Sequence, residues 1–253
     1  ADRLDGAGES DFPVVDALKS LFLEQLQRFS LTDGEVAITR NNEREVLQLE
    51  SLSWINKDRR HQGTGAVRVQ ELANNSASFI LDLTGTPDSL DGVMYARAED
   101  LDISPWVSGL LATRRPLRES RANFEVWAEV KESHFSAFYT EFHESKLAWG
   151  GDDALVFNSG IRGGSIQAQP VKDKWHFRVD QLIFDANDQS LVTDLVGTVS
   201  DNELLVNTVK PAPVNPFLVL LPLFTDDTAD DNIRDINPGG QLATLQVKLQ
   251  PKG

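Results

Sequence analysis

FEVWAEVK, residues 124–131, reads as one β-strand with two unlike faces. Phe124, Val126, Ala128 and Val130 fall on one side, and Glu125, Trp127, Glu129 and Lys131 on the other. A period of two is the mark of a strand whose one face is dry and whose other face is wet. The same alternation recurs at Trp175, Phe177 and Val179 against His176, Arg178 and Asp180, and at Leu245, Val247 and Leu249 against Gln246, Lys248 and Gln250. Less regular strands are expected near 35–40, 45–54, 64–72, 78–84, 92–101, 135–142, 154–168, 190–198 and 203–209. The dipeptides Asp33-Gly34, Asn74-Asn75, Asp91-Gly92, Gly150-Gly151, Asn187-Asp188 and Asp201-Asn202 carry turn chemistry between them. Such short connections favour antiparallel meanders, and crossover helices are missing, which disfavours a parallel doubly wound sheet.

Around these strands the sequence repeats itself. VRVQEL (67–72) returns 110 positions later as FRVDQL (177–182), and Pro105-Trp106-Val107 returns 111 positions later as Pro216-Phe217-Leu218. ESLSW (50–54) is matched with ESKLAW (144–149), where the two tryptophans lie only 95 apart. The extra length of the second copy is therefore expected in a loop between its Trp and its FRV strand. Pro105 and Pro216, preceded by Ser104 and Asn215 of N-cap character, are expected to open short helices, as Pro13 does for a helix over 12–29. The expected organisation is a leading helix (1–28), a first repeat (29–112), a second repeat (113–224) and the start of a third unit (225–253). A repeat extends an assembly; it does not by itself enclose an active site.

The chain has 253 residues, 40% of them hydrophobic, which is enough for a sizeable core. Its 39 acidic and 24 basic residues leave a formal charge of −15, a surface that repels phosphate backbones and anionic headgroups. Nucleic acid is thus excluded as an expected partner. With no cysteine, disulfides, zinc–thiolate sites and thiol nucleophiles are excluded. The longest apolar run, 216–224, is too short to span a bilayer. The chain starts at Ala1 without an initiator Met, and the expectation is a processed product or an excised section of a longer protein.

Motifs of chemistry fail on inspection. His61, His134, His143 and His176 do not pair at ligand spacing and are expected as solvated or edge residues. Gly63-x-Gly65 lacks the third glycine and following helix of a dinucleotide loop, so it is expected in a hairpin turn, and 160–164 in a bulge or turn. The acidic run 226–231 lacks the Gly and Glu of an EF-hand loop. No nucleophile elbow or marked carboxylate pair is present, and no enzyme activity, metal or cofactor is expected. Trp54 and Trp149 are expected as core or rim residues, whereas Trp127, on the wet side between Glu125 and Glu129, is the best candidate for an external contact.

Strands that end in ARAEDLDISPWVSGLL (96–111), after ESLSWINKDRRHQGTGAVRV (50–69), resemble the AsmA-like proteins of Gram-negative bacteria, most closely the YhdP branch. The resemblance implies an elongated, curved antiparallel sheet forming an apolar groove, polar outside. It also implies phospholipid moved across the periplasm between inner and outer membranes, in a protein tethered to the inner membrane by parts outside this chain. Partners would be phospholipid acyl chains and neighbouring repeats of a longer chain. Strand parity nominates Val67, Val69, Phe79, Leu81, Leu83, Phe124, Val126, Trp175, Phe177, Val179, Leu245 and Val247 as the groove lining. The rival expectation is a closed β-sandwich, as a scaffold or as a carbohydrate-binding module using Trp127, Trp54 and Trp149.

Overall fold

The computed structural model describes residues 21–40, 43–69, 76–104, 117–149, 157–186, 189–200, 203–215, 240–243 and 246–249. A helical turn, Leu21–Gln25, leads into β1 (Arg28–Arg40), β2 (Glu43–Lys57), β3 (Arg60–Val69), β4 (Ser76–Thr86) and β5 (Ser89–Leu101). After residue 116 come β6 (Leu117–Lys131), β7 (His134–Phe142), β8 (Ser145–Trp149), β9 (Phe157–Val171), β10 (Lys174–Ala186), β11 (Gln189–Ser200) and β12 (Glu203–Thr208). Short β13 (Ala212–Pro213) pairs β14 (Gln241–Leu242), and β15 (Gln246–Leu249) closes the series.

One antiparallel sheet of 13 strands holds nearly all of this, in the order β1-β2-β3-β4-β5-β6-β7-β9-β10-β11-β12-β15. The period-two sequence pattern and the order agree, because a meander needs only local reversals. β8 stands off that path between β6 and β9, where it continues the line of β7 after a break at His143-Glu144. The rival sandwich is absent from the described residues: the extensive strand contacts run between sheet neighbours, apart from a small one between β11 and β13.

A line of irregularities crosses this sheet. Register shifts fall between Leu49 and Ser51 of β2, Ala98 and Leu101 of β5, Val179 and Leu182 of β10, and at 161–163 of β9. Asp33, Asp100, Gln181 and Gly164 take positive φ of 54°, 48°, 51° and 124° along the same line. Each bulge bends its strand, so bulges aligned across neighbours place the bends along one fold line. Asn123 ties the centre of that line together. Its Oδ1 accepts from the Asp100 N–H (2.7 Å), its Nδ2 donates to the Glu144 carbonyl (2.6 Å), and its N–H donates to Ser145 Oγ (2.9 Å).

Several expectations are corrected. The helix over 12–29 ends earlier, since β1 begins at Arg28; its residues before 21 lie outside the described residues. Asp33-Gly34 and Asp91-Gly92 lie inside β1 and β5; the reversals fall instead at Asp58-Arg59, Pro87-Asp88, Glu132-Ser133 and Lys172-Asp173. Asn74-Asn75, Gly150-Gly151, Asn187-Asp188, Asp201-Asn202, Trp106, the run 226–231 and Leu245 lie outside the described residues. The chain turns helical at Ser104 and Asn215, as far as it is described there.

The extra length before the FRV strand is not a loop but contains the 15-residue strand β9. Counting reversals along the sheet, β2 and β8 run in opposite directions, so ESLSW and ESKLAW are not equivalent strands. The strands that do correspond are β3-β4-β5 and β10-β11-β12. They run in matching directions, end at Ser104 and Asn215, and place Arg68 and Arg178 on one face.

Candidate functional site: two faces of one sheet

Register links the nominated lining residues. Leu81 pairs with Met94, Met94 with Ala128, Ala128 with Phe138, Phe138 with Ala168, Ala168 with Phe177, Phe177 with Gly197, Gly197 with Val206, and Val206 with Val247. Paired residues share a face, so one uncharged row crosses nine strands, about 38 Å at the usual ~4.8 Å spacing. Parallel rows bring in Val67 through Ala77, Phe79 through Ala96 to Val126, Leu83 through Gly92 to Val130, and Phe124 through Ala98. Trp175 and Val179 join through Val199 and Leu195, and Val69 through Leu47. The nine nominated residues from Val67 to Val179 whose side chains are described therefore sit on one face, and Val69 and Val247 are at register positions in line with them.

This face is only partly covered. Leu83 (8% exposed), Val130 (8%) and Leu90 (7%) form a buried cluster against which Leu23, Leu81 and Met94 pack. Phe79, Leu81, Phe124, Val126, Trp175 and Phe177 are only half-buried. The cover near the cluster is the turn Leu21–Gln25, held by Trp54, Asn56 and His61. Phe22 packs edge-on against Trp54 (5.2 Å between centroids), and Asn56 Nδ2 donates to the carbonyls of Phe22 and Leu26 (both 2.5 Å). Asn56 Oδ1 accepts from Trp54 Nε1 (2.9 Å) and lies 2.8 Å from His61 Nδ1. His61 is thus buried (4% exposed), which corrects its expected place in solvent. Trp54 is likewise buried on this face and cannot form an outer platform with Trp127.

Glycines on this face make room for rings. A Cβ on Gly63 would lie 2.6 Å from the Trp54 ring, on Gly65 2.4 Å from Phe79, and on Gly197 2.4 Å from Phe177. Gly63 and Gly65 are therefore mid-strand seats for aromatics rather than a hairpin turn. Sequence parity also missed Met94, Phe138, Phe142, Ile166, Leu195, Leu204 and Val206 on the same face. In β7 the cause is a bulge at Ser136, which puts Phe135 and Phe138 side by side three positions apart, with centroids at 4.9 Å. Phe138 continues to Trp175 at 5.1 Å. A strict period of two splits that pair.

The opposite face carries the charge. Arg60–Asp82, Arg68–Glu50, Arg97–Glu99, Lys131–Glu129, Arg178–Asp180, Lys174–Glu203 and Lys210–Asp194 all pair there. The cations hold carboxylates below their ordinary range: Arg60 acts on Asp82, Lys131 on Glu129, Lys210 on Asp194, and Lys248 with Lys174 on Glu203. The outward residues of β4 to β12 also line a shallow recess of about 1150 Å³, in which Trp127 lies between Tyr95 (5.2 Å) and Tyr139 (5.5 Å). His134, His143 and His176 are exposed. Among the described residues no three His, Asp or Glu side chains gather as a metal site.

The family model described as YhdP protein matches residues 3–253. A curated relative, the intermembrane phospholipid transporter YhdP of Escherichia coli (strain K12), is 25% identical over 149 residues, 57% of this chain and 12% of that protein. The chain thus spans about an eighth of that relative. No solved structure matches the chain. An antiparallel sheet with one apolar face, together with a match over almost its whole length, places the chain in the YhdP family.

Proposed function

We propose that this chain is a section of a lipid-conducting track, in which acyl chains lie along the apolar face and headgroups stay in water. The single observation that supports it most is the uncharged row from Leu81 to Val247, crossing nine strands with half-buried aromatics and no second sheet over it among the described residues. Open apolar area of this extent is normally covered. An acyl chain laid along the row gains ~0.8 kcal/mol for each methylene it buries, with no catalytic group required.

On this reading the fold line of bulges would bend the surface into a trough, and the twelve nominated residues would be its floor. The units 29–112 and 113–224 would be successive lengths of track, joined to neighbouring repeats of a longer chain. The named activity of the relative supports phospholipid as the cargo and the cell envelope as the place. Among the described residues no helix is long and apolar enough to cross a membrane, so a tether to the inner membrane would lie in other parts. This reading makes the chain a periplasmic carrier rather than an enzyme.

The test is denaturing extraction of the purified protein followed by lipid mass spectrometry. Phospholipid should co-purify, Phe177→Asp should lower its occupancy severalfold, and Trp127→Ala should leave it unchanged. Lipid-free protein that also refuses fluorescent phospholipid would overturn the reading.

A further inference from the structure

The outer face carries the ion pairs, yet uncharged residues gather on part of it, among them Val93 (59% exposed), Val196 and Leu205, and they centre on one aromatic strip. Ile80, Tyr95, Trp127 and Tyr139 occupy directly paired positions on β4, β5, β6 and β7. Their rings form a continuous ridge, Tyr95 to Trp127 tilted by 52° and Trp127 to Tyr139 by 45°. Ile80 is 53% exposed, and Trp127 and Tyr139 are 38% and 36% exposed, so burial does not account for apolar side chains here. The cross-strand stack stabilises the sheet only modestly, by about 0.5–1.5 kcal/mol per pair, and any smaller residue could fill an outward position.

What lies beside the ridge sets the ligand class. The recess continues across β9 to β12, where Gln167, Gln169, His176, Thr198 and Asn207 line it beside Val196 and Leu205. The ions within reach are engaged: Glu129 by Lys131 and Ser136, Arg178 by Asp180, Asp82 by Arg60 and Gln62, while the Tyr95 hydroxyl donates to Glu125. The remaining hydrogen-bonding groups are the amides of Gln167, Gln169 and Asn207, the hydroxyls of Thr198 and Tyr139 and the exposed imidazole of His176, and the formal charge of −15 repels polyanions. Every strand under the recess is paired on both sides, so no free edge is offered to an extended peptide. An acyl chain would strand the amides unpaired. A sugar has what both parts need, an apolar ring face for the aromatics and hydroxyl or amide groups for the glutamines.

We propose that the recess on the outer face binds a neutral oligosaccharide, with Trp127 as the stacking platform, Tyr95 and Tyr139 as its shoulders, and Gln167 and Gln169 as hydrogen-bonding partners. The site lies on the face opposite the lipid row, so it holds the outside of the track to a glycan while the inside stays free. Binding is tested by isothermal titration of the whole chain with two probes, a hexamer of β-linked N-acetylglucosamine and cellohexaose. Saturable binding of at least one is expected, weakened about tenfold by Trp127→Ala, the scale of a lost aromatic contact. Trp127→Phe should retain most of it, and Tyr139→Ala, read alongside a circular-dichroism spectrum, covers the case in which Trp127→Ala misfolds. Phe124→Asp, on the apolar face and outside the recess, should leave glycan binding unchanged, which separates this site from the lipid reading. No heat of binding for either probe up to roughly 5 mM, or affinity indifferent to both Trp127→Ala and Tyr139→Ala in folded protein, would overturn the proposal.

Discussion

Asp82 and Leu83 are neighbours in β4 and belong to different surroundings. Asp82 points to the charged face, where Arg60 and Gln62 satisfy it; Leu83 points to the apolar face, 8% exposed, against Leu90 and Val130. The same contrast holds for Arg178 between Phe177 and Val179, and for Glu125 between Phe124 and Val126. A single-layer sheet normally hides its apolar face under another layer, and here the described cover reaches only the end near Trp54. The two faces therefore fail differently. Damage to the apolar face costs packing and, on the proposed reading, cargo, whereas damage to the charged face costs little because water replaces what is lost.

The largest break should come from putting a charge on the wrong side. Leu83→Asp would place an unpaired carboxylate in the compact buried cluster with Leu90 and Val130, with a loss of about 3–5 kcal/mol, while Thr84→Asp, one residue on and exposed, should stay within about 0.5 kcal/mol of the parent. Chemical denaturation of both variants measures the contrast. Equal midpoints would mean that the two faces are not distinguished in solution.

A smaller break needs no charge at all. Gly197 faces the Phe177 ring across the β10–β11 pair, and a Cβ there would lie 2.4 Å from the ring and 2.1 Å from the Leu205 carbonyl. Gly197→Val should cost at least about 1–3 kcal/mol through displacement of the ring and of the β12 backbone at Leu205, and lipid occupancy should fall with it, because Phe177 belongs to the proposed floor. Thermal unfolding together with lipid extraction checks both halves. A variant as stable and as loaded as the parent would show that the ring does not rest on the glycine.

These two positions also show what the sequence can and cannot disclose. The face of Leu83 was legible from period two, as were those of Phe124, Val126, Trp175, Phe177 and Val179. Each lies in a stretch of strand without a bulge, where parity propagates. The seat at Gly197 was not, nor were Gly63 and Gly65, which read as turn formers because glycine's reason for being there is a ring on the next strand. Real turns were hidden for the converse reason. Glu132-Ser133 has no turn signature, yet both residues take positive φ, held by contacts from the next hairpin: Asp91 Oδ1 accepts from the Glu132 N–H (2.8 Å), and the Leu90 carbonyl from the Ser133 N–H (2.9 Å). The bulge at Ser136 then exchanges the faces of β7, so Phe138 escaped parity. Local chemistry reveals a strand's faces, and long-range contacts decide where the strand turns or slips.

The smallest effect belongs to the charged face and to pH. Asp82, Glu129, Asp194 and Glu203 have folded-state affinities for protons depressed by their cationic partners, first of all by Arg60, Lys131, Lys210 and Lys248. A carboxylate depressed on folding adds stability that is present above its unfolded value and is lost as pH falls through its folded value. The charged face should therefore weaken only in the acid range below the ordinary carboxylate value of ~4. The described part of the apolar face has no carboxylate to respond there. Asp194 is the sharpest probe, because its Oδ1 also accepts from the Gln181 N–H (2.9 Å) on the line of bulges while Oδ2 takes Lys210 (2.7 Å). Lys210→Met should raise the acid-unfolding midpoint slightly and leave stability at neutral pH within about 1 kcal/mol of the parent, as for a pair whose cation is largely exposed. Added salt should shrink the difference between the two proteins. An acid midpoint that does not move, or one that moves equally at high salt, would mean that Lys210 does not set the proton affinity of Asp194, and that the bulge is held by the backbone N–H alone.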